Sequence, residues 1–227
     1  SIITAFFTGK SHTRDAMKRT KAQALQTREH LMLAALDVFH RHGVSRASLN
    51  EIAQAADMTR GALYWHFKNK EALFEALFQH LFDDLGQKLD ADIRHSTPNM
   101  LENVRLALIN HFERILHNEN HRKFCHILHL MCEHTVQNES IITLMRRYQQ
   151  MWRQLIHDAL KLCVAQGSLP KNLDVDLATV YFKSTVFGLT HQWLLAPGRF
   201  SLDITAARIT DATIDTLQNS LALRRPE

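Results

Sequence analysis

The side chains best suited to specific chemistry lie close together in one short segment, residues 59–70. In chain order they are Thr, Arg, Gly, Ala, Leu, Tyr, Trp, His, Phe, Lys, Asn and Lys. Arginine and lysine neutralise phosphates, hydroxyl and imidazole groups hydrogen-bond to phosphates or base edges, and a glycine allows a close approach of the backbone. A helix that begins with these residue types is suited to bind the major groove of DNA.

Four large side chains crowd this segment, and they cannot all be buried. Successive residues on a helix diverge by about 100°, so a helix this short cannot direct Leu63, Tyr64, Trp65 and Phe67 into one core. Leu63 and Phe67 are four residues apart and share a face, so they are expected to be buried. At least one of Tyr64 and Trp65 must then be exposed, beside the hydrogen-bond donors.

The preceding sequence predicts two helices that would position this segment. The first runs from about 26 to 42, with apolar residues at helical spacing and Gly43 as its C-cap. Ser48, followed three residues later by Glu51, has the spacing of a capping box and begins a second, short helix.

Two further N-caps follow. Thr59 can cap a third helix from 60 to about 67, after a turn at 57–59, which completes a helix-turn-helix with the third helix as the reading one. Asn69 can cap a long fourth helix, from 70 to about 93.

The whole chain is predicted to be all-α. It contains only seven Gly and four Pro in 227 residues, and breaks after Ser96 separate further apolar patterns. The predicted helices of this body lie at about 99–117, 121–135, 139–167, 174–195 and 203–221. Met17 resembles a natural start, so we expect residues 1–16 to be a vector or upstream extension. The predicted organisation is then a DNA-binding domain at 17–66, a connecting helix at 67–94, a body at 95–222 and a tail at 223–227.

Charge and composition narrow the class of protein. The formal net charge is +4, yet residues 17–70 alone contain nine basic and four acidic side chains, a net of +5. A polyanion-binding face is therefore expected at the amino-terminal end. No apolar run is long enough for a membrane span or a signal peptide, and three cysteines suit reduced thiols, so we expect a cytoplasmic protein that does not contact membranes.

The sequence does not predict catalysis, a cofactor or a metal site. It lacks the G-x-S-x-G, P-loop, G-x-G-x-x-G and H-E-x-x-H motifs. One predicted helix does contain metal-ligand residue types at helical spacing. A closed zinc site needs four ligands and draws them from more than one element, so these residues are better explained as pocket or core lining. They are Cys125, His126, His129, Cys132 and Glu133.

The segment 59–70 resembles the helix-turn-helix of TetR-family repressors, whose signature is close to T-x-G-x-[LIV]-Y-x-[HY]-F-x-x-K, and the match extends over 26–85. The resemblance implies a TetR-like fold: a three-helix DNA-binding domain and a larger helical domain for ligand binding and dimerisation. Ser48 and Thr59 would hold phosphates, and Arg60 and Gly61 would face base edges. Tyr64, Trp65 and His66 would contact the DNA backbone, a sugar or thymine methyl groups. Lys70 would clamp a phosphate. Many relatives have Gly where this chain has Asp57.

Scattered matches in the body resemble one branch of that family, the AcrR and MtrR type of multidrug-efflux repressors. They include Trp152-Arg153, Lys183-Ser184-Thr185 with Gly188-Leu189, and 200–203. Another group of matching residues lies within 132–138. The resemblance implies a repressor of an efflux operon that binds near-palindromic double-stranded operator DNA as a homodimer. Alternatives are a TetR-type regulator of a metabolic pathway with a specific inducer, a ligand-independent DNA-binding protein, and a helical protein whose basic end meets another partner.

Each aromatic or methionine side chain of the body, taken alone, is better explained as plain core, but as a group they exceed what a simple bundle needs and suggest a pocket for a small lipophilic or amphipathic inducer. The candidate ligand-binding residues are Phe112, Met131, Trp152, Phe182, Phe187 and His191. Glu113, Glu133 or Asp158 would favour a cationic inducer if they faced inward. The resemblance places the dimer interface on the last two long helices, where the candidates are Leu177, Tyr181, Ser184, Gly188, Ile209, Thr213 and Leu217.

Overall fold

The computed structural model describes residues 9–132 and 139–226, the first twelve of these as backbone only. Within these ranges the chain forms nine α-helices and no β-strand. They are α1 (Gly9–His42), α2 (Leu49–Ala55), α3 (Arg60–His66), α4 (Lys70–Arg94), α5 (Met100–His117), α6 (Glu119–His126), α7 (Glu139–Ala165), α8 (Val175–Leu195) and α9 (Leu202–Asn219). A π-helical turn (Ile127–Met131) follows α6, and a short 3-10 turn (Leu221–Leu223) follows α9. No helix in the described part of the chain is long and apolar enough to cross a membrane.

The three predicted N-caps are confirmed. The Ser48 hydroxyl accepts a hydrogen bond from the Glu51 amide, and the Glu51 carboxylate accepts one from the Ser48 amide at 2.8 Å, which completes the capping box at α2. The Thr59 side chain caps α3 and the Asn69 side chain caps α4. These local contacts satisfy amide groups that a helix start leaves without partners.

Two helix boundaries differ from those predicted. Helix α1 begins at Gly9 rather than near residue 26, because the apolar pattern that indicated it begins only where the helix meets the core. The helix predicted for 121–135 is α-helical to His126, becomes a π-helical turn and reaches an extended residue at Cys132. The last residues of that predicted helix, including Glu133, lie outside the described residues, as do residues 1–8.

The turn between α2 and α3 depends on a left-handed residue. Asp57 has a φ of 52°, in the region where glycine is most favourable, although aspartate enters it more readily than most residues. The Met58 amide donates to the Ala53 carbonyl at 2.9 Å, as at the end of many helices. Aspartate therefore occupies the left-handed position that closes this turn.

A continuous apolar core connects the amino-terminal three helices to the rest of the protein. Leu63 and Phe67 are buried, as predicted. The Phe39 ring of α1 packs on Phe74 of α4 at a centroid distance of 5.9 Å, and Phe74 packs on Phe124 of α6 at 5.3 Å. Helix α4 thus contacts both the body and the three amino-terminal helices α1, α2 and α3, which together are called the reading unit.

Polar contacts reinforce the same junction. Lys123 of α6 forms a 2.8 Å ion pair with Asp37 of α1. On the other side of α4, the Arg114 guanidinium pairs with Asp84 and lies 3.4 Å from the Leu81 carbonyl oxygen.

Lys70, the first residue of α4, does not extend outward as a phosphate clamp would. Its ammonium donates to the carbonyl oxygens of Val44, Ser45 and Ala47, at 2.7, 3.3 and 3.2 Å. These three bonds use all the N–H donors of an ammonium group. In this structure Lys70 therefore braces the segment between α1 and α2, a contact that the sequence did not predict.

This brace predicts a specific loss of stability. Lys70→Met should lower the free energy of unfolding by about 1–3 kcal/mol, because three carbonyl oxygens lose a charged donor. Lys68→Met removes an exposed lysine two residues away and should change stability by no more than about 0.5 kcal/mol. Chemical denaturation of both variants without DNA measures the difference. Equal stability of the two variants would contradict the brace.

Candidate nucleic-acid interface and ligand cavity

Helix α3 presents an exposed aromatic surface, as its sequence predicted. Trp65 is 74% exposed and Tyr64 is 43% exposed, whereas Leu63 and Phe67 on the opposite side are buried. Two large aromatic side chains in water beside basic groups are available for a binding partner.

Arg60 is held along this surface by Tyr64. Its guanidinium donates to the Tyr64 hydroxyl at 3.2 Å and lies 5.3 Å from the centre of the Tyr64 ring. Gly61 is exposed, and the added Cβ of another residue there would meet only the Thr59 hydroxyl, at 3.9 Å. Ser48 and Thr59 are also exposed and serve as N-caps, so they lie at the starts of the two helices of the motif.

A residue of α1, Arg28, supports the end of α3. Its guanidinium is 4.3 Å from the centre of the Phe67 ring and lies 3.4 Å from the carbonyl oxygen of His66, to which it donates. Burial, followed by the charge of Arg28, lowers the pKa of His66. The sequence analysis missed Arg28, although its position three residues before buried Leu31 would have placed it on the inner face of the helix.

A cavity of about 250 Å³ lies between α4 and the body, bounded by α4, α5, α6 with the π-helical turn, α7 and α8. Three of the predicted ligand residues line it, Trp152, Phe182 and Phe187. This volume is close to the lower end of the usual range for small-molecule sites.

The other three predicted ligand residues lie outside the cavity wall. Phe112 follows His111 on α5, and because His111 faces the cavity, Phe112 points into the core instead. His191 lies beyond Phe187, with the two rings stacked at 5.9 Å. Met131, at the end of the π-helical turn, packs against Gly43 of the segment after α1.

Several lining residues escaped the sequence analysis. Phe78 and Phe82 come from α4, and the Phe78 ring stacks on Tyr148 of α7 with centroids 3.6 Å apart. The signal was present, because phenylalanines recur every four residues from Phe74, next to the leucine stripe of the same helix. Besides the Tyr148 hydroxyl and the Trp152 indole, the polar side chains among the described lining residues are His111, His129, Gln149, Lys183 and Thr190.

The buried imidazoles of this cavity are neutral near pH 7. Burial lowers the pKa of His111 to about 3 and that of His129 to about 4. The His111 Nε2 atom lies 3.2 Å from the Thr190 hydroxyl, within hydrogen-bond distance. A neutral imidazole offers one donor and one acceptor, so this end of the cavity suits an uncharged polar group.

No carboxylate lines the described part of the cavity. Glu113 is exposed and pairs with His117 at 3.2 Å, and the Asp158 carboxylate accepts from Gln154 at 3.0 Å. Glu133 lies outside the described residues. The carboxylates proposed to favour a cation therefore do not face this cavity where the structure describes them.

The predicted dimer residues differ in how exposed they are on one protomer. Leu177 and Ser184 are exposed, Tyr181, Gly188 and Ile209 are half-buried, and no atom lies within 4 Å of a Cβ placed on Gly188. Thr213 and Leu217 are instead buried inside the protomer, so they cannot form a contact surface. The reason is that α9 packs on α5, where Arg105 pairs with Asp211 at 2.8 Å.

The residues considered as metal ligands are not gathered into a metal site in the described chain. The His126 ring packs edge-on against His40 of α1, at a centroid distance of 4.8 Å. The Cys132 sulfur lies 3.1 Å from that of Met145.

Comparison with known proteins covers both parts of the chain. Residues 31–77 match the bacterial regulatory proteins of the tetR family, and residues 99–219 match the C-terminal region of the MAATS-type transcriptional repressors. The chain is 33% identical over 213 residues to the transcriptional regulator TtgR of Pseudomonas putida, which covers 92% of this chain and 100% of TtgR.

Two solved structures share the fold. NalD of Pseudomonas aeruginosa has a TM-score of 0.73 at 26% identity, over 88% of this chain and 99% of that one. SmeT of Stenotrophomonas maltophilia, in complex with triclosan, has a TM-score of 0.76 at 26% identity, over 89% of this chain and 99% of that one. With a helix-turn-helix at one end and a matching repressor body at the other, the chain belongs to the TetR family of bacterial transcriptional regulators.

Proposed function

We propose that this protein is a ligand-responsive repressor that binds a near-palindromic operator and is released by lipophilic or amphipathic compounds. The observation that carries the proposal is the dual role of α4. Its first residue, Lys70, braces the helix-turn-helix, and its Phe78 and Phe82 side chains line the cavity. A compound that displaces these aromatic rings acts on the same rigid helix that positions the reading unit.

A multidrug efflux operon is the proposed target. NalD is a repressor of the MexAB-OprM multidrug efflux pump, and SmeT is the repressor of the SmeDEF pump and binds triclosan. The cavity of this chain suits such ligands, because its wall consists mainly of aromatic and aliphatic groups with a methionine, Met145, that can adapt its shape. A regulator of a metabolic pathway would instead respond to one specific compound.

The DNA-reading residues are proposed from the exposed side of α3. Arg60 would contact a base edge, because a guanidinium can donate two parallel hydrogen bonds to guanine. Tyr64, Trp65 and His66 would contact backbone, sugar or thymine methyl groups. Lys68 is exposed directly after α3 and replaces Lys70 as the proposed phosphate contact.

Dimerisation is proposed through the exposed apolar face of α8. Leu177, Val180 and Phe187 are 44%, 52% and 53% exposed and recur at helical spacing, with the small residue Ser184 between them. Ile204 of α9 is 61% exposed and extends the apolar surface at the neighbouring helix. This set replaces Thr213 and Leu217 in the proposed interface.

Base reading and phosphate binding should separate in two variants. Arg60→Ala should weaken operator binding by about 1–3 kcal/mol and relax preference at one base pair in each half-site. Lys68→Met should weaken all sequences equally and reduce the slope of log affinity against log salt by about one. Fluorescence anisotropy with the upstream region of the gene and with random duplex measures both. Equal wild-type affinity for the two duplexes would indicate a sequence-independent DNA-binding protein.

A charge on the α8 face should separate the protomers. Val180→Asp would bury a carboxylate without a partner, so we expect dissociation at micromolar concentration and a large loss of operator affinity. Lys161→Asp introduces the same side chain at an exposed site on α7 and should remain dimeric. Sedimentation velocity gives the oligomeric state. A wild-type protein that sediments as a folded monomer would refute this interface.

Ligand and operator should weaken each other's binding by the same factor. Triclosan should bind about 5–150-fold more weakly when operator is present, the range of typical allosteric coupling. Trp152→Ala should weaken triclosan binding, whereas Met151→Ala, which changes an exposed neighbour outside the cavity, should not. Calorimetric titration with and without operator measures these affinities. Triclosan affinity that is independent of operator would show that the cavity does not control DNA binding.

A further inference from the structure

The cavity has an uneven charge distribution that the proposed function does not explain. Its described lining contains one cation, Lys183 of α8, and no carboxylate. The Lys183 ammonium donates to the Gln149 carbonyl oxygen at 2.9 Å, its sole hydrogen bond among the described residues. An ammonium has three N–H donors, so two of them remain for a ligand.

A second cation lies near Lys183. Burial, and then the charge of Arg153 on α7, lowers the pKa of Lys183. Arg153 itself pairs with Asp176 at 3.1 Å, so that carboxylate is already engaged. A half-buried ammonium beside another cation is stabilised by an anion, because an opposite charge within a few ångströms favours the charged form.

The other end of the cavity contains polar groups without charge. The Nδ1 atom of His129 is buried and has no hydrogen-bond partner among the described residues, while the His129 ring stacks on Phe187 at 4.4 Å. His111 and Thr190 lie at the same cavity wall and face each other. A buried nitrogen without a partner is costly, and a ligand hydroxyl or carbonyl group would recover that cost when the His129 ring turns this nitrogen toward the cavity.

The two ends are separated along one helix. Along the axis of α8, Lys183 lies about 6 Å from Phe187, on which His129 stacks, and about 10.5 Å from Thr190. Between them the cavity wall is apolar, with Val186 and Phe187 from α8 and Trp152 from α7.

We propose that the cavity selects elongated amphipathic anions, with a carboxylate at Lys183 and a hydroxyl or carbonyl group at His129. The inference rests on the proposed function, because it takes this cavity to be the inducer site, and it adds the chemical class of the inducer. An uncharged lipophilic compound can fill the apolar middle, but it leaves Lys183 without an anion. A lipophilic cation would be repelled by the Lys183 ammonium.

Three related probes test the inference on the full-length protein: ω-hydroxydecanoate, its primary amide, and decanoate. Calorimetric titration should show that ω-hydroxydecanoate binds at least about ten-fold more tightly than its amide, since a charged hydrogen bond is lost. It should also bind more tightly than decanoate, which lacks the hydroxyl group for His129. Operator release, followed by fluorescence anisotropy, should rank the three probes in the same order.

Variants assign each preference to its residue. Lys183→Met should abolish the difference between acid and amide, and Lys183→Arg should keep it. Lys161→Met removes an exposed lysine of α7 outside the cavity and should leave the difference unchanged. His129→Phe should abolish the difference between ω-hydroxydecanoate and decanoate while it preserves a ring against Phe187.

The outcomes distinguish this inference from the proposed function. If triclosan releases the operator but acid and amide bind equally, or neither binds, the anion preference is wrong and the repressor function stands. The anion preference is also wrong if Lys183→Met retains the difference between acid and amide. If neither triclosan nor any of the three probes affects operator binding, the proposed function itself fails.

Discussion

Three hydrogen bonds from one ammonium group join the two functions of this chain. Lys70 is the first residue of the helix that bounds the cavity, and its Nζ atom holds the carbonyl oxygens of Val44, Ser45 and Ala47 at the entrance to the helix-turn-helix. Without this contact α4 would hold the three amino-terminal helices by the apolar packing of Phe39 on Phe74 and by an exposed pair between His80 and Glu29, 3.8 Å apart. Apolar packing is non-directional, whereas hydrogen bonds fix an orientation. The angle at which α3 faces DNA therefore depends on where α4 begins.

The cavity beside α4 has neutral imidazoles at one end and an ammonium group at the other. Its imidazoles lie so deep that burial holds His111 and His129 in their neutral forms, so they supply hydrogen bonds without charge. Lys183, the one cation among the described lining residues, is nearer to the surface and lies close to Arg153. A ligand that enters must satisfy two different environments within one small volume. Shape alone would accept many lipophilic molecules, and the polar ends decide which of these orient productively.

The sequence predicted those features that depend on local contacts. The caps at Ser48, Thr59 and Asn69 involve residues three positions apart, and the exposed aromatic surface follows from helical geometry on a short helix. Features that depend on which partner covers a face were not predictable. The apolar stripe of α9 looks the same whether it packs on a second protomer or on α5, and only the structure shows that Thr213 is covered by its own chain. Similarly, the direction of the long Lys70 side chain is decided by carbonyl groups more than twenty residues earlier in the chain.

One aromatic side chain belongs to two surfaces at once. Phe187 lines the cavity and stacks on His129, yet it is 53% exposed on the face of α8 proposed for dimerisation. In a dimer formed through that face, a ligand that shifts this ring in one protomer also changes the surface on which the second protomer rests. The two cavities would then not titrate as independent sites. Occupancy of the first would alter the affinity of the second, and the response to inducer would depart from a simple hyperbola in a direction set by the packing of that ring.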